Sequence, residues 1–409
     1  MNQRKIAHIT TVDMSLRYLL LNQLCDLKQA GYEVVGISSS GPEVPSIEAA
    51  GIRHISVEMT RSSFTPLLDL RALWQLYRVI SREKFTIVHT HTPKAGLLGR
   101  CAAKLAAVPV VVHTNHGFIF HKRSPWYFRR IFVAFEKIAA LCSDLILSVN
   151  EEDIKTAIDE DICDSSKIRP LGKGGIGIDL TRFDPSRVSQ MDIATRMREV
   201  KLSDQNKVVG FVGRLVREKG LLELFEAIRI VRNQVPDVRL LVVGPVDTEK
   251  PDAVTPDAAK EYDIADICRF LGLRHDLPEL YSLMDVVVLP SHREGFPVVP
   301  MEAAAMGVPC IVTDVRGCRE VIEHGRNGLI VPCGNACALA GAISELLTHQ
   351  ERAQQMGKEA RRMATKRFNE KIVFENVRTE YAKLLHTKGA LVPEPSASLS
   401  LDRDNEHDL

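Results

Sequence analysis

The stretch DVVVLPSHREGFPVVPMEAAAMGVPCIVTD, from Asp285 to Asp314, decides how this chain is read. It opens and closes on short apolar runs, with a polar turn and an Ala-rich segment between them. Strand, loop, helix and strand in that order make a β–α–β unit. Two carboxylates bracket the loop. On one continuous helix Glu294 and Glu302 would lie roughly 80° apart, at ~100° per residue. Pro297 points elsewhere, because proline fits the first turn of a helix and disfavours helical geometry before it. Glu294 then falls in the loop, with Glu302 about one turn inside the helix.

The same alternation extends in both directions. Toward the N-terminus, KVVGFVGR leads through LVREKG into LLELFEAIRIVRNQ, whose apolar positions 221, 224, 225, 228 and 231 follow the helical period. RLLVVG, CRFLG, DVVVLPS, VPCIVTD and GLIVP complete six strands. Before them, KIAHITTV, EVVGISS, IRHISVEM, TIVHTH, VPVVVHTN and DLILSVN give another six within about 150 residues, with helix-length segments between most of them. The fold class is α/β: two doubly wound, Rossmann-like domains facing a central cleft. The polar, turn-prone LGKGGIGIDLTRFDP (171–185) is the joint between them. The expected units are 1–178 and 179–365, and a polar tail of low apolar pattern, 387–409, is expected to be disordered. The loop PVDTEKPDAVTPDAAKEYD (245–263) reads as surface.

Composition narrows the function classes. The 409 residues carry 53 basic and 52 acidic side chains, a balance that argues against a general nucleic-acid binder. No run of eighteen apolar residues signals a membrane span, and the N-terminus reads as a first strand, not an export signal. Nine scattered cysteines then imply free, buried thiols and a reducing cytoplasm. Cys333 and Cys337 have no second pair nearby, and no carboxylate or cysteine completes a zinc site around His89, His91, His113, His116 and His121. No metal and no cofactor is expected.

In open α/β sheets, ligands bind beyond the carboxyl ends of the strands. Just past the first strand of the second domain stand Arg214, Arg217 and Lys219, natural partners of phosphate. A helix starting near Pro297 on the same edge points free N–H groups and its positive dipole end at an anion, and Gly295 lets that backbone approach closely. A diphosphate between the two satisfies both. The carboxylates then suit hydroxyls on either side of it: Glu302 a ribose, Glu294 a sugar beyond the phosphates. The ligand implied is a nucleotide-diphosphate sugar. The competing reading is an N-capping carboxylate plus an ordinary surface glutamate.

Glu294 and Glu302 with the intervening GFPVVPM resemble the E-x7-E element of retaining glycosyltransferases of family 4, which have the GT-B fold. FVGRLVREKG is similar to that family's diphosphate loop, GIGIDLTRFDP to its interdomain signature, and FLGLRHDLPELYSLMDVVVLPSHREGFP matches closely. The resemblance spans nearly the whole chain except the tail. It implies catalytic roles for Glu294, His116, Arg214 and Lys219, with Gly117 beside the donor sugar. It also implies nucleotide-sugar contacts at Arg214, Lys219, Leu273, Arg274, Gly295, Phe296, Pro297 and Glu302, the base being read by backbone near Leu273 and Arg274. The last helix, about 366–386, would cross back to the first domain. VHTHTPKAGLLGR and HTNHGFIFHK resemble a subgroup that adds sugars to polyprenyl-diphosphate-linked saccharides in bacterial surface polysaccharide assembly. Many relatives have a Gly-Gly turn where this chain reads TVDMSLRY.

The function implied is retaining, metal-independent transfer of a hexose or N-acetylhexosamine from a UDP-sugar to a lipid-linked saccharide. His89 and His91 read as structural hydrogen-bonders. The segment 118–132 places Lys122, Arg123, Arg129 and Arg130 beside Trp126, Tyr127, Phe128 and Phe132, a pattern suited to the anionic inner face of a membrane. Three rivals share parts of the pattern: a nonhydrolysing UDP-sugar epimerase, a transferase using GDP-mannose and a soluble acceptor, and a non-catalytic binding protein on the same scaffold. A dinucleotide oxidoreductase would need G-x-G-x-x-G after a strand, a context that GKGGIGID lacks.

Overall fold

Each strand of the second domain reads as a nearly continuous apolar run because the sheet is covered on both faces, as parallel sheets are. In the computed structural model, which describes residues 4–62, 64–120, 124–172, 175–248 and 250–389, two parallel sheets form. The first contains β1 (Lys5–Val12), β2 (Glu33–Ser39), β3 (Arg53–Ser56), β4 (Ile87–Thr90), β5 (Val110–Asn115), β6 (Leu145–Ser148) and β7 (Ile168–Pro170). Its order is β3-β2-β1-β4-β5-β6-β7. The second contains β8 (Lys207–Val212), β9 (Val238–Val243), β10 (Cys268–Gly272), β11 (Val286–Leu289), β12 (Cys310–Thr313) and β13 (Gly328–Val331), in the order β10-β9-β8-β11-β12-β13. Both orders reverse beside the first strand, the switch point at which open α/β sheets bind ligands.

The second sheet has the six strands expected. The first has seven, not six, since β7 pairs with β6 through only three residues and Pro170 ends it, too short a run to stand out by pattern. The expected helix after β8 spans Leu221–Arg232, and its apolar positions Leu221, Leu224, Phe225, Ile228 and Val231 are all fully buried.

The last helix, expected at about 366–386, spans Glu370–Thr387 and follows a separate helix, Gln350–Arg367. Gln350–Arg367 ends at Phe368, which packs in the second domain's core, and Glu370–Thr387 begins after Asn369, which caps it by accepting from Lys371 N. The second of these helices sends Val373, Phe374, Val377, Tyr381 and Leu385 into the core of the first domain. Ile178 donates its N–H to Phe368 O at 2.7 Å and accepts from Glu370 N at 3.1 Å, so the two chain crossings between the domains lie side by side. Lys388 still pairs with Asp144 at 2.7 Å; residues 390–409 of the tail lie outside the described part. All nine cysteines are free, but burial is not uniform, for Cys337 is exposed. Among the described residues no helix is long and apolar enough to cross a membrane.

Candidate active site

β8 ends at Val212, and Gly213 follows at φ 155°, turning the chain toward Arg214. Arg214 donates to Asp247 at 2.5 Å, and Arg61 of the first domain reaches the same carboxylate at 3.4 Å. Burial opposes ionisation of Asp247, but the Arg214 hydrogen bond and the two guanidinium charges outweigh it and hold the carboxyl below its ordinary value. The loop that carries Asp247 is surface as expected, with only Val254 and Ala259 buried among its described residues, and it also packs beside the 214–218 turn, Asp252 accepting from Glu218 N at 3.2 Å. The signal available was Asp247 itself, a carboxylate just past the end of β9.

A single 3-10 turn, Arg217–Lys219, then ends on Gly220 at φ 72°. A Cβ at Gly220 would lie 2.0 Å from Pro290 O, so only glycine lets this turn pack against the end of β11. That contact brings Lys219 Nζ to 2.6 Å from Glu294 Oε1, which also accepts from Ser291 Oγ at 2.6 Å. His292 N donates to Glu218 O at 2.9 Å, and Arg293 pairs with Glu218 at 2.7 Å, lacing the two loops together. Arg214 and Lys219 thus each hold a carboxylate.

Helix Val298–Ala305 begins one residue later than Pro297, which sits at the N-cap with an extended backbone and provides no side-chain cap. Glu302 is buried within this helix and accepts from the Tyr281 hydroxyl at 2.8 Å on Oε2. Burial raises its pKa to about 7, with the Tyr281 hydrogen bond pulling the other way. Sequence reading did not find Tyr281. The separation expected of Glu294 in the loop and Glu302 inside the helix is present.

The first domain meets this loop at Gly295. A Cβ there would stand 1.9 Å from His116 O, and Asn150 Nδ2 donates to Gly295 O at 3.1 Å. Arg316 reaches across to the buried carboxylate of Asp153 at 2.5 Å and to Phe118 O at 3.0 Å. Arg316 and Asp153 carry no motif and went unseen in the sequence. His116 and Gly117 thus face Gly295 across the domain seam, and Phe296 packs half-buried against both cores. Leu273 is exposed after β10, while the Arg274 guanidinium is committed to Asp276 and Glu199, leaving backbone for any ligand there.

Of the five clustered histidines, His121 lies outside the described residues. His8, which sequence reading did not include, joins His89 and His91 in a group whose ligand atoms lie within 4.8 Å of one another. Every ring nitrogen of these three is already hydrogen-bonded to protein, which accounts for the cluster as structure.

The basic–aromatic segment forms helix Trp126–Leu141; Lys122 and Arg123 lie outside the described residues. Trp126 and Tyr127 face outward, whereas Phe128 and Phe132 turn partly inward and Arg129 pairs with Glu160. A second exposed apolar face was missed. Helix Pro66–Glu83 buries Ala72, Leu76 and Ile80 yet leaves Leu67 (82%), Leu70 (63%) and Trp74 (56%) in solvent beside Arg71, Arg78 and Arg82. The exposed residues occupy the opposite side of the helix at helical spacing.

Two family models match the chain: Glycosyltransferase Family 4 over residues 19–174 and Glycosyl transferases group 1 over residues 192–363. A Bacillus subtilis (strain 168) protein with the name "Putative glycosyltransferase EpsD" is 31% identical over 387 residues, 93% of this chain and 96% of its own length. The Escherichia coli UDP-Gal:alpha-D-GlcNAc-diphosphoundecaprenol alpha-1,3-galactosyltransferase is 29% identical over 344 residues, 83% of this chain and 87% of that protein. Anabaena HepE, solved in complex with UDP-glucose, shares the fold at TM-score 0.79 and 20% identity, covering 93% of this chain and 99% of that one. The chain belongs to the family 4 glycosyltransferases and has their two-domain GT-B fold.

Proposed function

We propose that this enzyme transfers a hexose or N-acetylhexosamine, with retention, from a UDP-sugar to a polyprenyl-diphosphate-linked saccharide at the inner face of a membrane. The observation that carries the reading is the convergence of Arg214, Lys219 and the uncapped N-terminus of helix Val298–Ala305 on one edge, with Glu294 beside them and His116 opposite. The names of the relatives supply the substrate class, since the E. coli relative takes UDP-Gal to a diphosphoundecaprenol-linked sugar.

Charge develops on the leaving diphosphate, and preorganised donors in a water-poor cleft stabilise it. Arg214, Lys219 and the helix N–H groups take that role, so no metal ion is required. When the diphosphate binds, Lys219 turns to it and Glu294 becomes free to accept from hydroxyls of the sugar. The acceptor hydroxyl attacks the face from which the diphosphate departs, and a phosphate oxygen takes its proton. Glu294 orients the sugar and forms no bond to it. Glu302 grips the ribose with Oε1, which takes no hydrogen bond among the described residues, while Tyr281 holds Oε2. The two exposed apolar–basic helix faces of the first domain suit an anionic lipid surface, where an acceptor with a polyprenyl tail resides.

The test is mass-spectrometric transfer with UDP-sugars and short-chain polyprenyl-diphosphate-linked saccharides. Acceptor mass should rise by one sugar with the anomeric configuration kept. Sugar interconversion with no acceptor present would mark an epimerase instead. A covalent sugar adduct on Glu294 would overturn its orienting role.

A further inference from the structure

One buried carboxylate ties together three segments of the domain seam. Asp153 lies in the first turn of helix Glu151–Asp159, and its side chain is wholly out of solvent. Asn150 caps that helix: its Oδ1 accepts from Asp153 N at 2.7 Å, and its Nδ2 donates to Asp153 Oδ2 at 2.8 Å. Asn115, the last residue of β5, donates to the same Oδ2 at 3.3 Å. Asn115 Oδ1 in turn accepts from Gly117 N at 3.0 Å, so the carboxylate braces the turn that carries His116 from inside the first domain.

These first-domain donors are neutral amides, and a buried charge needs more. Burial pushes the Asp153 carboxyl above its ordinary value, opposed by the Arg316 charge, the Asn150 hydrogen bond and a Phe118 backbone hydrogen bond. Among the described residues Arg316 is the one cation paired with Asp153, and it comes from the second domain, in the loop after β12. Its guanidinium forks. One nitrogen meets Asp153 Oδ1 at 2.5 Å, and the other donates to Phe118 O at 3.0 Å, two residues past His116. The next residue, Gly317 at φ 77°, packs on the loop that carries Glu294: a Cβ there would stand 2.3 Å from Gly295 O. Gly295 O accepts from the same Asn150 Nδ2 at 3.1 Å. The 115–118 turn, the loop at Gly295 and the 315–317 loop thus all register on one charge.

Burial decides which cross-domain pair matters. Arg319 and Glu152 also meet across the seam at 2.8 Å, but both are more than a third exposed, and such pairs are weak and screened. A buried pair adds little net stability over an apolar pair of similar size, yet losing one partner alone strands a charge and is strongly unfavourable. What such a pair contributes is geometry.

We propose that Asp153 and Arg316 are positioning residues, one from each domain, that fix the spacing between the turn carrying His116 and the loop carrying Glu294 during sugar transfer. The placing of transfer at this seam rests on the proposed UDP-sugar reaction; the coupling of the two side chains does not.

The experiment is a double-mutant cycle on the full chain, with Asp153→Asn, Arg316→Met and both together, read by transfer kinetics, UDP titration and small-angle X-ray scattering. Arg316→Met strands the carboxylate, so kcat should fall about 10²-fold, as for a displacement near 1 Å between reacting groups. UDP affinity, set by Arg214, Lys219 and helix Val298–Ala305, should change far less. The radius of gyration should rise as the seam loosens. The double variant has no stranded charge, so its loss should be smaller than the two single losses multiplied together, in turnover and in radius alike. Arg316→Lys, which keeps the charge but not the fork, should fall between wild type and Arg316→Met. Single losses that simply multiply would overturn the proposal, as would full turnover in folded Arg316→Met or a loss of UDP binding that matches the loss of turnover. Should Asp153→Asn fold poorly, the two Arg316 variants carry the test, since that side chain lies in a loop at the seam. A wild type that neither binds UDP nor transfers sugar removes the reaction, and the scattering cycle then decides the coupling by itself.

Discussion

Gly295→Ala isolates the contact between the two domains from the folding of either. Gly295 has no left-handed φ, so alanine is compatible with its backbone. The added methyl, however, would lie 1.9 Å from His116 O. Carbon–oxygen contacts settle at about 3.3 Å or more, so the seam must open by about 1.4 Å. A displacement of that size between reacting groups can cost on the order of 10²-fold in rate. Steady-state transfer from a UDP-sugar should therefore show kcat/KM lowered about 10²-fold, with the thermal midpoint nearly unchanged. UDP affinity, set within the second domain, should change far less. Gly220→Ala is the contrasting control: at φ 72° and 2.0 Å from Pro290 O, it should destabilise the fold itself, by more than about 1 kcal/mol. Normal turnover in Gly295→Ala would refute the reasoning, because the closed seam would then not be the working geometry.

Three further outcomes follow. Arg214→Ala should lower turnover by roughly 10² to 10³, the loss seen on removing one preorganised donor, measured against an unchanged melting profile. Stability should fall with acid: His8, His89, His91 and His113 are buried with depressed pKa values, so the unfolded chain takes up their protons first as pH drops below about 6.5. Each contributes about 1.4 kcal/mol per pH unit below that point. Glu302 and Glu370, both raised to about 7, pull the opposite way between about 4.5 and 7, and four groups outweigh two. Urea unfolding at pH 7.5, 6.5 and 5.5 should show little change between the first two, where the two sets offset one another, and a clear loss between the last two; stability that holds or rises from pH 6.5 to 5.5 would contradict it. Flotation with vesicles should recover the protein with anionic and not neutral lipid, and Leu67→Ser with Trp74→Ser should reduce recovery severalfold; equal recovery on neutral vesicles would count against the lipid-facing helices.

Local pattern made most of the scaffold legible. The second sheet's strands are runs such as VVVL and CIVT buried on both faces, and the helix after β8 declares itself through five positions at helical spacing. Glu294, Arg214 and Lys219 were visible because strand ends are where such sheets bind ligands. What stayed hidden is non-local. Asp247 meets Arg214 only because a polar loop folds back over β8, and Arg316 meets Asp153 only once the domains close. His8 lies 83 positions from its partner His91, and nothing but sheet register joins them. Helix Pro66–Glu83 was passed over for another reason: its core-facing residues supply the expected amphipathic pattern, and its exposed apolar residues look like extra core.

The central claim is the nucleotide-diphosphate site between the end of β8 and helix Val298–Ala305. Calorimetric titration of UDP, GDP and ADP into the wild type and Glu302→Ala tests it most directly. UDP should bind most tightly, and loss of a charged hydrogen-bond acceptor to the ribose, worth about 1.5–3 kcal/mol, should weaken it roughly 10- to 100-fold. No binding by any of the three nucleotides, or UDP binding untouched by the substitution, would contradict the account.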